Sequence, residues 1–319
     1  MELYPFKLSY VTKSPIWGGK RLLTDWGKKA DAETVGESWE LTVRKDEKSV
    51  ILNGKHAGRT LESVIEEHGG NLIAPDFSAR EFPLLVKLID ARDTLSVQVH
   101  PDNDYAARVE HDRGKTEMWY IVDADEDASL ICGLREDATQ EDFAQAVGEN
   151  DPERVLKFCP VKAGETYFIP AGMTHAIGKG ILIAEIQQNC DLTYRVYDYN
   201  RRQPDGSLRE LHVEKAMDVV RPFTDEEVEA IRYSRRSDTL VNGEILADCD
   251  YFRVEKLTVQ GMQSLPDCAQ MRHVLCLSGE GNLIFNGDAY PIAKGDSYFL
   301  PPIHGLKTEG EFTALVSSV

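Results

Sequence analysis

Short apolar runs, each cut off by Gly, Pro, Asp or Asn, fill two long parts of this chain. Residues 82–132 and 161–199 hold Phe82-Pro-Leu-Leu-Val-Lys-Leu-Ile, Leu95-Ser-Val-Gln-Val-His, Glu117-Met-Trp-Tyr-Ile-Val, Ser129-Leu-Ile-Cys, Thr166-Tyr-Phe-Ile and Ile181-Leu-Ile-Ala-Glu-Ile. Residues 251–319 have the same texture, in Phe252-Arg-Val-Glu-Lys-Leu-Thr-Val, His273-Val-Leu-Cys-Leu, Asn282-Leu-Ile-Phe, Ser297-Tyr-Phe-Leu and Phe312-Thr-Ala-Leu-Val. Runs of this length, rich in β-branched and aromatic residues, predict the strands of a barrel or sandwich.

An internal repeat links the two parts. Ala163-Gly-Glu-Thr-Tyr-Phe-Ile-Pro aligns with Lys294-Gly-Asp-Ser-Tyr-Phe-Leu-Pro, and a histidine, His175 or His304, follows each copy. Each copy reads as a Gly turn, an acidic turn residue, a short apolar strand and a Pro bend. Gly279-Glu-Gly-Asn-Leu-Ile-Phe-Asn-Gly-Asp adds a tight-turned hairpin. The expected fold class is all-β with inserted helices, arranged as two jelly-roll β-barrels.

Four segments break the pattern as helices. They begin at Thr60 (ending at Gly69-Gly70), Thr139, Glu210 (running to Arg221-Pro222) and Thr224, three of them behind a capping-type threonine. A chain of 319 residues outgrows one core of ~100–200 residues, so two domains are expected. The polar stretch Tyr233-Ser-Arg-Arg-Ser-Asp suits a linker, which places the catalytic domain at 1–233 and a structural domain at 234–319.

The formal charge of −18 repels phosphate polymers, so nucleic acid is not an expected partner. No run of 18 apolar residues exists to span a membrane, and Met1-Glu-Leu-Tyr-Pro lacks the apolar core of a signal peptide. The six cysteines are scattered without a CxxC pair, which reads as reduced thiols in a cytoplasmic protein.

The chemistry concentrates in Gln98-Val-His100, Glu117 and His175. Gln98 and His100 are two apart on a strand, so they share a face. Glu117 opens the next strand and His175 follows the turn Pro170-Ala-Gly-Met-Thr. Alone, each has an ordinary reading, as a strand-end polar residue, a surface carboxylate or a loop histidine. Together, an amide oxygen, two imidazoles and a carboxylate make a mixed N/O set suited to a divalent metal, zinc first among them, at one per chain. The second barrel offers only His273 and His304, with no paired ligands around them, and is read as structural.

Four blocks carry a family resemblance: Leu95-Ser-Val-Gln-Val-His-Pro-Asp, Gly114-Lys-Thr-Glu-Met-Trp-Tyr, Ile169-Pro-Ala-Gly-Met-Thr-His-Ala and Glu185-Ile-Gln-Gln-Asn-Cys-Asp-Leu-Thr-Tyr-Arg. With Pro15-Ile-Trp-Gly-Gly and Gly36-Glu-Ser-Trp-Glu, they resemble the type I mannose-6-phosphate isomerases over most of residues 5–220. The last third is similar in architecture, as a second cupin barrel. The resemblance implies a zinc-dependent interconversion of mannose 6-phosphate and fructose 6-phosphate, with Gln98, His100, Glu117 and His175 as ligands. Longer family members carry a histidine before a Lys-Pro-Glu motif, where this chain has Gly114-Lys115-Thr116-Glu117, so an acid–base role for that histidine does not transfer. Only about 27 residues separate Gly133 from Val161, so the extra helical domain of the long forms is absent and the chain resembles the short bacterial form.

Moving a proton between C1 and C2 through an enediol needs a base and positive charge over the developing oxyanion. The resemblance turns Arg195 toward the sugar, where a guanidinium stabilises charge. Lys115 and Glu185 are both candidates for the base; beside a metal the Lys115 ammonium is expected to lose its proton more readily. Ser96, on the Gln98 face, and Arg201 are the candidate phosphate holders for the phosphosugar substrate. A non-catalytic sugar- or metal-binding cupin is the competing reading, but it does not need Lys115, Glu185 and Arg195 together. A metal-dependent oxygenase is disfavoured by the Gln98 ligand.

Overall fold

The structure is a computed structural model that describes residues 3–75, 77, 82–235, 241 and 243–319. The two most apolar runs, Leu84–Ala91 and Ile181–Gln188, are neighbouring antiparallel strands, and every residue of both is buried. Strands read as unbroken apolar runs when both faces of their sheet are covered. These two lie in the middle of a six-stranded sheet ordered Thr166–Ile169, Glu117–Ala124, Ile181–Gln188, Leu84–Ala91, Glu37–Leu41, Val11–Lys13.

One face of this sheet presents Ile89, Trp119, Ile121, Ile181 and Ile183, which cluster with Leu95 and with Leu130 and Ile177 from a second, five-stranded sheet. That sheet runs Leu156–Pro160, Ser129–Leu134, His175–Ile177, Val97–Val99, Tyr194–Tyr197. Its outer residues Val97, Val99, Ile131 and Val196 are covered by Phe143 of the helix Gln140–Gly148 and Ala216 of the helix Val213–Val219. The other face of the six-stranded sheet, with Leu84, Val86, Leu88, Met118 and Ile186, joins one continuous core with Phe252, Val254, Leu275, Phe299 and Leu315. Each fully buried side chain of this size contributes roughly 1.5–3 kcal/mol, so the two halves stabilise each other directly.

The C-terminal half is an eight-stranded antiparallel sheet whose main path is Phe6–Lys7, Ser297–Leu300, Arg272–Phe285, Lys307–Ser318, Arg253–Gln260, Glu244–Asp248. Its first strand comes from the far end of the sequence: Phe6 pairs with Phe299 and Lys7 with Tyr298. Residues 1–233 were expected to form the other domain, so this strand crosses the expected boundary; residues 236–238 of the expected linker lie outside the described residues. The chain is mostly β with inserted helices, as expected. Among the described residues every sheet path has two free ends, so the pairing makes stacked, open antiparallel sheets and closes no barrel by hydrogen bonds alone.

The internal repeat is a repeat in space. Gly164 and Gly295 both have positive φ (92° and 86°), a conformation that suits glycine. Behind each, the acidic residue accepts from the backbone three residues earlier, Glu165 from the Lys162 N–H and Asp296 from the Ala293 N–H. The strands Thr166–Ile169 and Ser297–Leu300 follow. All four expected helices are present, at Leu61–His68, Gln140–Gly148, Val213–Val219 and Asp225–Arg232, with Thr60, Thr139 and Thr224 capping three of them. A further helix, Asn103–Val109, starts behind Asp102, whose side chain accepts from the Tyr105 N–H. All six cysteines are free thiols.

Candidate active site

The five-stranded sheet lines up three of the sequence candidates in one row. Gln98 is the register partner of His175 on one side and of Arg195 on the other. His175 stands at the start of its strand because the Pro170 turn closes through the Met173 N–H on the Pro170 carbonyl, and the Gly172 N–H donates to the His100 carbonyl. That last bond ties the His175 turn to the end of the Gln98–His100 strand. Glu117 approaches from the facing six-stranded sheet.

His100, Glu117 and His175 offer ligand atoms that all lie within 4.8 Å of one another, and all three residues are buried. The Nδ1 atom of His175 donates to the Met173 carbonyl at 2.8 Å, which leaves the Nε2 lone pair facing inward. That Nε2 lies 3.1 Å from Nε2 of His100 and 3.4 Å from Oε1 of Glu117. Burial pulls the His175 pKa down to about 4, and burial with the Lys115 charge takes His100 well below the usual range. Both rings are therefore neutral, the form that binds metal. Lys115 Nζ stands 2.9 Å from Glu117 Oε2 and 3.1 Å from His100 Nε2, while Glu117 Oε1 receives no hydrogen bond. Two inward imidazole nitrogens beside a carboxylate with an unpartnered oxygen fit a divalent cation. Gln98, on the His175 row, is half-buried and sits on the same strand face as His100.

A second row crosses four strands of the six-stranded sheet: Trp119, Glu185, Lys87 and Trp39 are successive register partners. Trp119 Nε1 donates to Glu185 Oε2 at 3.1 Å, and Lys87 Nζ lies 3.4 Å from Oε1. Lys87 also faces Glu37 at 3.7 Å and the Trp39 ring at 4.9 Å. Burial pushes the Glu185 pKa up, but the Lys115 and Lys87 ammoniums outweigh it and keep the carboxyl ionised. Burial works the opposite way on the two lysines and is outweighed in turn by Glu185 and its neighbours, so both stay above the usual range. For Lys115 it is the carboxylates of Glu117 and Glu185 that hold its proton on. Burial, with the charge of Glu185, lifts Glu117 to about 7.

Ser96 and Arg201, expected together, each have a partner of their own. The Ser96 hydroxyl accepts from Arg195 Nε at 3.1 Å, and Arg195 Nη1 donates to the Glu210 carbonyl. Arg201 instead grips Asp198 and the Thr94 carbonyl. Asp198 holds Arg209 as well, so three guanidiniums and one carboxylate surround this end of the site. Burial, together with the Arg209 charge, lowers the Arg195 pKa from its ordinary value. In the C-terminal sheet, His273 bonds the Ser297 hydroxyl at 2.6 Å and exposed His304 pairs with Asp267.

Sequence reasoning missed Lys87, Trp39 and Arg209. Lys87 had a usable signal: it is the one charge in Leu84-Leu-Val-Lys-Leu-Ile, and a lysine in a strand covered on both faces needs a buried partner. Arg209 had none, because only the hairpin bridge between Arg202 and Leu208 returns it to Asp198.

Comparison with known proteins adds an independent line. Residues 5–132 match the family model of the phosphomannose isomerase type I catalytic domain, and residues 243–319 that of the mannose-6-phosphate isomerase cupin domain. A probable mannose-6-phosphate isomerase of Bacillus subtilis, GmuF, is 40% identical across 97% of this chain and 96% of its own. The mannose-6-phosphate isomerase of Streptococcus mutans is 36% identical across 98% of each chain. A crystal structure of the mannose 6-phosphate isomerase from Bacillus subtilis superposes with a TM-score of 0.86, at 32% identity and 99% coverage of both chains.

Proposed function

The chain belongs to the type I phosphomannose isomerase family, and from that membership we propose a zinc-dependent isomerase that interconverts mannose 6-phosphate and fructose 6-phosphate through an enediol. The observation that carries the reading is the meeting of two rows from facing sheets. One brings His175, Gln98 and Arg195; the other brings Glu185 and Lys87; Glu117 and His100 close the gap between them.

Gln98, His100, Glu117 and His175 would hold the zinc. Ligand distances of about 2.0–2.1 Å to two imidazole nitrogens in a tetrahedral set separate those nitrogens by ~3.3 Å, close to the 3.1 Å between His100 and His175. When bound, the ion supplies Lewis acidity toward the sugar's carbonyl and hydroxyl oxygens.

The rest falls to the chain. Of the two candidate bases, Glu185 is the better placed, because its carboxylate is ionised and Oε1 receives no hydrogen bond. It takes the proton from one carbon of the C1–C2 pair and returns it to the other. Trp119 and Lys87 fix its direction. Lys115, held as an ammonium, suits a proton donor to the oxygen that gains charge. Arg195, anchored on Ser96 and the Glu210 carbonyl, aims fixed positive charge at the enediolate. The sugar phosphate goes to the arginine-rich end, with Ser96 and Arg201 as its holders and Arg209 beside them.

The test is conversion of mannose 6-phosphate by the purified protein, with metal content measured on the same sample and the reaction run in deuterated water. Conversion that needs the metal, with deuterium entering at C1 or C2, supports the reading. A metal-loaded protein that converts neither sugar would sink it, and conversion that survives full metal removal would sink the zinc part.

A further inference from the structure

Tyr199 and Asn200 stand side by side with positive φ, 54° and 53°, and the Arg201 N–H closes their turn on the Asp198 carbonyl at 3.0 Å. A turn whose two central residues both need positive φ favours Asn-Gly, because a bulky side chain crowds the left-handed backbone. The hairpin turn at Asn286-Gly287 meets the same demand with those residues, at 53° and 89°. Tyr199 is the strained choice for its position, so the turn alone does not account for its ring.

Arg201 does. Its guanidinium carbon lies 5.4 Å from the centre of the Tyr199 ring, and the Tyr197 ring stands against that ring at 4.9 Å. The Tyr199 hydroxyl is buried and makes no hydrogen bond among the described residues, which leaves the ring as the part in use. The guanidinium is held on its other sides too. Nε donates to the Asp198 carbonyl, Nη2 to the Asp198 carboxylate and Nη1 to the carbonyl of Thr94, two residues before Ser96. A guanidinium carries five N–H donors, so these three bonds leave two for an anion.

We propose that Tyr199 is a positioning residue: its ring fixes the Arg201 guanidinium in one orientation, with the two remaining donors ready for the sugar phosphate. The assignment rests on the reading of Arg201 as a phosphate holder. The strain of the turn is kept because it folds the ring onto the guanidinium of the residue two places on.

The test is steady-state kinetics with mannose 6-phosphate on the full chain, comparing the parent with Tyr199→Gly, Tyr199→Phe, Arg201→Ala and the double variant Tyr199→Gly/Arg201→Ala. Circular dichroism confirms that each is folded; if Tyr199→Gly is not, Tyr199→Asn takes its place, since asparagine also tolerates positive φ. Tyr199→Gly suits the turn but frees the guanidinium, and ordering one long side chain on binding should raise KM roughly 2–10-fold with kcat little changed. Tyr199→Phe returns the ring without the hydroxyl and should undo that rise. In the Arg201→Ala background, loss of the ring should add nothing. Parent KM in the folded glycine or asparagine variant, the same rise with and without Arg201, or a phenylalanine variant that behaves like glycine would each overturn the role of Tyr199. Parent KM in Arg201→Ala would overturn the phosphate reading itself, a separate failure.

Discussion

Lys87 and Glu185 face each other across adjacent strands, 3.4 Å apart at Nζ and Oε1, with Trp39 and Trp119 as the next members of the same row. The indoles close the two ends of the pair, so its charges depend on each other and little on water. Taking one charge away removes the other's partner across the strand pair and leaves it buried with only the longer contacts, Lys115 for Glu185 or Glu37 and Asp191 for Lys87, at a cost of up to about 3–5 kcal/mol.

Lys87→Met should therefore lower unfolding stability by an amount of that order and abolish activity. The double variant Lys87→Met/Glu185→Gln should regain much of the stability and none of the activity. Urea denaturation of the set decides the matter, and a double variant no more stable than Lys87→Met would refute the coupling.

Removal of a metal-facing imidazole should remove the ion. His100→Ala and His175→Ala are each expected to lose stoichiometric zinc and isomerase activity together. Elemental analysis of the two purified variants checks this; full zinc content in both would end the ligand assignment.

Arg195 and Arg201 should fail differently. Arg195 is aimed at charge that exists only in the transition state, so Arg195→Ala should cut kcat by about 10²–10³-fold with a much smaller change in KM. Arg201→Ala should mainly raise KM, because the phosphate keeps its charge throughout. Steady-state kinetics at saturating zinc compares them. A pure KM effect in Arg195→Ala would make that arginine a binding residue.

Asp198 predicts an acid-side signature. Burial raises its pKa, but the bonds from Arg209 and Arg201 outweigh burial and leave it below the usual carboxylate range. A carboxyl depressed by folding stabilises fully above its unfolded value of ~3.9, and that contribution drains away as pH falls through the lower folded value. Asp198→Asn should be less stable than the parent at neutral pH and converge with it as pH falls through the lowered folded value of the carboxyl. Denaturation midpoints measured from pH 7 downward test this; parallel curves would mean that the two guanidiniums give the carboxylate nothing.

The strands were legible in the sequence as short apolar runs, as in Glu117–Ala124 and Ile181–Gln188. So was the shared face of Gln98 and His100, because a spacing of two on a strand gives it whatever the fold around them. The threonine caps were legible for the same reason: a capping box acts within four residues. What stayed hidden depends on partners distant in sequence. Nothing near Lys87 announces Trp39 or Glu185, and nothing near Arg209 announces Asp198, since sheet order and a hairpin return bring them together. The raised Lys115 pKa has a distant cause too, because Glu185, the second carboxylate that holds its proton on, lies 70 positions along the chain.

The pairing of Phe6 with Phe299 bears on how the molecule is made. During synthesis the first strand leaves the ribosome with no edge to join, because its partner Ser297–Leu300 lies nearly the whole of this sequence further on. The apolar side chains Tyr4, Phe6 and Leu8 belong to the core that Leu275, Phe299 and Leu315 complete. Until those residues arrive, the back of the six-stranded sheet is uncovered, and exposed apolar sheet surface is what unfinished chains aggregate through. The long sequence separation also makes this closure slow. Synthesis of these late strands is thus the event that seals the core, so a cut between Leu8 and Ser297 that removes either side yields an incomplete body and not a smaller enzyme.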